Sequence, residues 1–175
     1  MKSTRFVFGR ALAVLCALLF VSFGFMSCQQ EDDGNELPDG VYELSDNSAL
    51  IGTWKSSYGE IFKITSISLS NGGSWGDSYA GNNLVVSYTN DEETSGYIYI
   101  KYTRAMNPDY SYSETAPDVG KWYAIAFKEL TASSVSLSGA YNASGKTSTE
   151  TLEEAISTFT IAKGYFSTYS ECVKQ

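Results

Sequence analysis

GYIYIKYTR, residues 96–104, alternates more cleanly than any other part of the chain. Ile98, Ile100 and Tyr102 fall on one side, and Tyr97, Tyr99, Lys101 and Thr103 on the other. Side chains of a strand point to opposite faces with a period of two, so this stretch is predicted as a strand with the first set turned inward.

The neighbouring segments extend the pattern in both directions. Residues 84–89, LVVSYT, alternate in the same way and end on the exposed turn Asn90-Asp91-Glu92-Glu93. Further upstream, residues 49–57 (ALIGTWKSS) and 60–69 (EIFKITSISL) read as two strands separated by a Tyr58-Gly59 turn. Asn71-Gly72-Gly73 reads as the next turn, because Asn and Gly tolerate positive φ. Residues 75–83, with Gly76 and Gly81 around Tyr79, read as loop.

Downstream, residues 105–118 hold Pro108 and Pro117, lack periodicity, and are predicted as a long loop of the kind that often carries function. Strands resume over 119–130 and 133–140. Thr147 and Glu150 have the spacing of a capping box, and Leu152, Ala155, Ile156 and Phe159 make an apolar stripe, predicting one short helix near residues 148–158. A last strand or two is expected in FTIAKGYFSTY, residues 159–169, around a Lys163-Gly164 turn. Seven to nine short strands and one helix, with turn signals every ten or so residues, predict an all-β fold. A small antiparallel β-barrel is the leading expectation, a β-sandwich the alternative, and a mixed α+β fold a third.

The 175-residue chain begins differently. Lys2, Arg5 and Arg10 precede seventeen uncharged residues, ALAVLCALLFVSFGFMS, and then Cys28. That is the layout of an export signal, and the run is short for a membrane-spanning helix, which needs about 20 apolar residues. Phe25-Met26-Ser27-Cys28 resembles the lipobox of bacterial type II signal peptides. The resemblance implies cleavage between Ser27 and Cys28, lipid attachment at Cys28, and retention at the cell envelope. The alternative is an ordinary secretory signal that leaves Cys28 as a free or paired thiol. Residues 29–40, QQEDDGNELPDG, carry five carboxylates and no base, so residues 28–48 are predicted as an acidic, flexible tether. Acid residues straight after the cysteine also resemble signals that direct some lipoproteins to the outer membrane and its outer surface. The resulting division is 1–27 signal, 28–48 tether and 49–175 a single β domain.

Without residues 1–27 the chain holds 9 Lys and Arg against 20 Asp and Glu, a net charge of −11. This argues against nucleic acid as a partner, since that requires clustered cations, and leaves basic or neutral partners. Histidine is absent, which removes His-based triads and His metal ligands. Cys172 stands alone near the C-terminus, and no metal or other cofactor is expected.

Gly52-Thr53-Trp54, on the first predicted strand of the body, resembles the G-x-W signature of lipocalins and the wider calycin barrels, in which the Trp packs across the floor of an eight-stranded barrel. Gly73-Ser74-Trp75 and Gly120-Lys121-Trp122 repeat the spacing. The thirteen Tyr cluster at Tyr97, Tyr99 and Tyr102, at Tyr110 and Tyr112, and at Tyr165 and Tyr169. Tyr combines large contact area with few rotamers to lose, as binding surfaces require, though it is also a good strand residue.

The functional expectation is a non-catalytic, lipid-anchored binding module, held to the membrane by its N-terminal lipid and facing an unidentified protein or small ligand. Its candidate ligand or packing residues are Trp54, Trp122, Tyr97, Tyr99, Tyr110 and Tyr112. Three alternatives differ in class: a lipocalin-like carrier of a small apolar ligand, an acidic body that docks or blocks a basic protein, and a hydrolase using carboxylates among Glu60, Asp77, Glu114 and Asp118.

Overall fold

A computed structural model of the chain describes residues 36–175. The signal segment, Ser27, Cys28 and the first part of the predicted tether therefore lie outside the described residues. Ten strands run in chain order: β1 (Tyr42–Glu43), β2 (Gly52–Ser56), β3 (Ile61–Ile64), β4 (Ser68–Gly73), β5 (Gly76–Tyr88), β6 (Gly96–Met106), β7 (Tyr112–Ser113), β8 (Trp122–Lys128), β9 (Ser134–Gly139) and β10 (Ser170–Lys174). One helix, α1 (Leu152–Thr158), and a 3-10 turn at Ile161–Lys163 lie between β9 and β10.

Apart from the two-residue β1 and β7, every strand pairs antiparallel with the next one in the chain, and β10 pairs back onto β2. The result is a closed eight-stranded up-and-down barrel, β2-β3-β4-β5-β6-β8-β9-β10. Closure leaves no barrel strand with an unpaired edge.

Cross-strand partners share a face, so the register identifies the inward set. Trp54 faces Phe62, Ile64 faces Leu69, Val86 faces Ile98, Ile98 faces Ile125, and Phe127 faces Leu137. All of these are buried, and with Ile100 they pack the barrel interior. An eight-stranded barrel is about as wide as facing side chains can fill, and these bulky residues do so over its lower part.

One end of the barrel, called the floor here, is covered by residues 36–51, whose Val41, Leu44 and Leu50 are buried. β1 pairs with β5 through Tyr42 opposite Val86 and Glu43 opposite Val85. The ordered body therefore starts before Ala49, and residues 36–48 belong to the fold rather than to a flexible tether. The sequence reading missed this because the acidic composition of 29–40 hides Leu37 within it and Val41 and Leu44 just beyond.

Other boundaries also move. Residues 60–69 are two strands, not one, because Thr65 closes a tight turn: its hydroxyl accepts from the backbone N–H of Ser68 at 3.0 Å. The Asn71-Gly72-Gly73 turn signal lies inside β4, where the register slips between Ser70 and Gly72, and the chain reverses at Ser74-Trp75 instead. Residues 76–83 form the first half of the 13-residue β5. That strand bends at Asn83, which adopts φ 51°, so its upper half pairs with β4 and its lower half with β1. A bulge is the usual way for one strand to turn between two neighbours.

The helix is capped four residues, about one turn, later than the predicted Thr147. Thr151 is the N-cap, accepting from Glu154 N at 3.2 Å, while Glu154 Oε2 accepts from Glu150 N at 3.2 Å. Residues 159–169 form no strand. Phe159, Tyr165 and Phe166 are buried against the barrel, and the final strand is SECVK, 170–174.

Candidate functional site

Antiparallel connectivity puts the strand connections alternately at the two ends. The end opposite the floor carries four: Ser57–Glu60, Ser74-Trp75, the 107–121 segment that includes β7, and the 140–169 segment that includes α1. Each presents one solvent-exposed aromatic ring: Tyr58 is 85% exposed, Trp75 60%, Tyr110 80% and Tyr141 73%. Met106 and Ile161 are exposed at the same end. Among the described residues Tyr42 is the one exposed aromatic near the floor. Single exposed apolar side chains need no explanation, but one ring per connection around a single rim is a patterned surface.

The Trp75 ring is held directly, and backbone bonds fix the chain beneath Tyr110 and Tyr141. Trp75 Nε1 donates to Ser78 Oγ at 3.3 Å, and the indole lies so close over Gly73 that a Cβ there would meet it at 2.6 Å. Tyr110 sits at the tip of the β6–β7 hairpin, its N–H donating to Asn107 O at 2.9 Å while Ser111 N donates to Asp109 Oδ1 at 3.0 Å. Those bonds from Ser111, side chain first, lower the Asp109 pKa. Tyr110 itself adopts φ 66°, a left-handed conformation that a Cβ-bearing residue takes only under constraint. At Tyr141 the N–H donates to Tyr165 O at 2.9 Å, and the Asn142 side chain donates to Lys163 O at 3.1 Å.

Beneath the rim the interior becomes polar. Glu60 Oε1 accepts from Asn71 Nδ2 at 2.9 Å and Oε2 from Ser170 Oγ at 2.6 Å. Tyr123 stacks on Tyr102 at 4.8 Å between centroids, meets Tyr79 edge-on at 5.2 Å, and donates to Ala140 O at 3.2 Å. Gly139 leaves the room for that phenol, since a Cβ there would lie 2.5 Å from the Tyr123 hydroxyl. Burial raises the pKa of all three tyrosines, with charged neighbours adding to it. Burial, and then Glu60, push the Cys172 thiol up to about 11.

The electrostatics of the rim are one-sided. The rim connections and the strand ends beside them hold eight carboxylates, Glu60, Asp77, Asp109, Glu114, Asp118, Glu150, Glu153 and Glu154, and four cations, Arg104, Lys121, Lys146 and Lys163. The Arg104 guanidinium donates to Tyr112 O at 3.0 Å and pairs with Glu114 at 3.6 Å. Lys121 pairs with Glu150 at 3.3 Å and Asp118 at 3.5 Å, contacts that raise its pKa, Glu150 first. Lys146 pairs with Glu154, and Lys163 donates to Ser157 O. Asp77, Asp109 and Glu153 draw no ion pair among the described residues.

The residues singled out from the sequence are dispersed by the fold. Trp54 is fully buried at the floor, its Nε1 donating to Leu50 O at 2.7 Å and Lys174 Nζ standing 5.1 Å from its ring centre. Tyr97 and Tyr99 lie on the outer wall beneath Phe166, which approaches Tyr97 at 5.5 Å. The expectation that Tyr99 faces outward holds, yet it is buried, with the ring of Tyr97, itself under Phe166, 6.2 Å away. Trp122 is half-buried where β8 bridges Thr149. Tyr112 is half-buried on β7, and Tyr110 alone of the six is a freely exposed ring of the rim. The four carboxylates occupy separate contacts: Glu60 inside the barrel, Asp77 exposed on β5, Glu114 on Arg104, and Asp118 accepting from Thr147 Oγ1 at 2.7 Å.

Sequence reasoning missed Tyr58, Trp75 and Tyr141. A signal was present, since each directly adjoins a turn residue: Tyr58-Gly59, Trp75-Gly76 and Tyr141-Asn142. A separate groove of about 590 Å³ runs over β9, β10 and β2, lined by Lys55, Glu129, Ser136 and Glu171 among others, and no aromatic side chain lines it. Compared with known proteins, the chain matches no family model, no curated protein and no solved structure.

Proposed function

We propose that the protein is a lipid-anchored, non-catalytic binding module of the bacterial cell envelope, which presents its aromatic rim to a partner and uses the closed barrel as a rigid support. The observation that carries this reading is the placement of Tyr58, Trp75, Tyr110 and Tyr141 on the four connections of one barrel end. Rigid aromatic rings contribute contact area at low entropic cost, and here Ser78 and Gly73 set the Trp75 ring beforehand.

The described residues begin at Glu36, eight residues after Cys28, and Val41, Leu44 and Leu50 just beyond pack at the floor end. An acylated Cys28 would hold the body at the membrane through the chain that leads into its floor-side residues. The lipocalin-like part of the reading draws support from Trp54, a buried ring at the floor on the first barrel strand. The packed lower interior favours the rim over an internal apolar ligand.

Two experiments test the reading. Mass spectrometry of the mature N-terminus, with protease shaving of intact cells, is expected to find an acylated Cys28 and an accessible rim. A Cys28→Ala chain retained with the membrane as well as the native one would overturn the anchor. Thermal melting of the protein with a panel of lipophilic compounds is expected to show no shift. A rise of several degrees with any of them would move the site into the barrel.

A further inference from the structure

We infer that the rim receives a cationic segment of another protein, with Lys or Arg side chains seated against the Trp75 and Tyr110 rings and their charge met by the unpaired Asp77, Asp109 and Glu153. The inference rests on the rim being the binding surface and adds the chemistry of its occupant.

Three features select a basic occupant. The rim's own cations, Arg104, Lys121, Lys146 and Lys163, are already committed to carboxylates or carbonyls of the same connections. They do not offer themselves to an anionic partner. The carboxylates outnumber them two to one, and among the described residues four form no ion pair, Glu60 inside the barrel and Asp77, Asp109 and Glu153 outside it, so the surface field around the exposed rings is negative. An aromatic face attracts a cation through its quadrupole, with Trp the strongest, and carboxylates close by reinforce that preference. The molecule already makes this kind of contact at its opposite end, where Lys174 stands over Trp54. The rim leaves such rings without a cation of their own.

The test uses the full mature protein in detergent. The probe is a synthetic oligo-arginine peptide, compared with oligo-glutamate and with a neutral gluco-oligosaccharide. Tryptophan fluorescence serves as the reading, because Trp75 is the exposed indole while Trp54 is fully buried and Trp122 half-buried. Oligo-arginine is expected to bind and to weaken as salt rises. Trp75→Ala and Tyr110→Ala are each expected to weaken it about threefold, measured by calorimetry, and the double variant about tenfold.

The acidic residues between Cys28 and the barrel also attract cations, so binding unaffected by the aromatic substitutions would refute the inference. If the neutral oligosaccharide binds in a ring-dependent manner and oligo-arginine does not, the partner class is wrong and the rim reading stands. If no probe responds to either ring, the rim reading falls as well. Far-ultraviolet circular dichroism of each variant shows that a loss of binding is not a loss of fold.

Discussion

Replacing Tyr110 by glycine should make the protein more stable while removing one ring of the rim. The residue holds φ 66° at the tip of the β6–β7 hairpin, and a left-handed conformation costs a Cβ-bearing residue about 1–2 kcal/mol. Glycine loses more backbone freedom on folding, a penalty of about 0.5–1 kcal/mol. The ring is 80% exposed, so its removal sacrifices little packing. The difference leaves a net gain of about 0.5–1 kcal/mol. In urea, with a slope of about 1–3 kcal/mol per molar, the midpoint should rise by a few tenths of a molar at unchanged slope. Tyr110→Ala keeps the Cβ and therefore the strain, so its midpoint should stay near that of the native chain. If Tyr110→Gly instead lowered the midpoint, or if Ala and Gly gave the same result, the strain argument would fail. The ring would then be contributing to the fold rather than being displayed by it.

Trp54→Ala should cost about 3–5 kcal/mol, because it opens a cavity at the floor and abandons the bond to Leu50 O; a cost below about 1.5 kcal/mol in urea denaturation would contradict the floor packing. Glu60→Ala should cost about 1–3 kcal/mol by leaving the Asn71 amide and Ser170 hydroxyl without their acceptor, and Glu60→Gln, which keeps one carbonyl oxygen, should cost less. The raised Cys172 and tyrosine pKa values predict alkaline unfolding. The folded thiol moves from its ordinary 9.0 to about 11, and Tyr79, Tyr102 and Tyr123 shift upward too, so stability is complete below about pH 9 and is lost as pH rises through 11. Circular dichroism and phenolate absorbance followed together should show one coincident transition, whereas tyrosines ionising near pH 10 in a protein that stays folded would refute it.

The barrel was legible where the outer face of a strand keeps polar or amphipathic side chains. Residues 96–104 and 84–89 alternate because their inner faces meet the core, and Ile98, Ile100 and Tyr102 do point inward. Legibility failed where tertiary packing overrides the local pattern. Residues 76–83 look like loop because Gly76, Gly81, Asn82 and Asn83 are poor strand formers, yet β4 and β6 pair with that half of β5 from both sides. Residues 159–169 resemble a strand for their apolar side chains, but only Phe159, Tyr165 and Phe166 are buried, Phe159 against Tyr123 of β8 and Phe166 against Tyr97 of β6. Tyr97 and Tyr99 were chosen as candidate ligand residues for their clustering, and they pack instead, Tyr97 under Phe166 and Tyr99 beside Tyr97. At the rim, Tyr110 was visible because the long loop around it drew attention. The rings in short turns were not, since only the closed topology gathers four separate connections onto one circle.

That topology also explains how a small barrel can separate two roles. Consecutive strands run in opposite directions, so the turns after β2, β4, β6 and β9 must share an end, and a chain that enters before β2 must enter at the other. The residues that stabilise the fold occupy the entry end: Leu50, Trp54 and the 36–48 cover. The connections at the far end bear little of the apolar core, apart from the buried side chains of the 140–169 segment, and can therefore vary in length and expose aromatic side chains at small cost to the fold. On the proposed reading, the lipid holds the end whose sequence is constrained by packing, and recognition uses the end that packing leaves free. A ring moved from the rim to the floor, for example by Asn47→Tyr at an exposed position with Tyr110→Ala, should preserve the count of exposed aromatics yet fail to restore oligo-arginine binding. Restoration would mean that exposed aromatic area alone, and not its arrangement around the barrel mouth, accounts for the affinity.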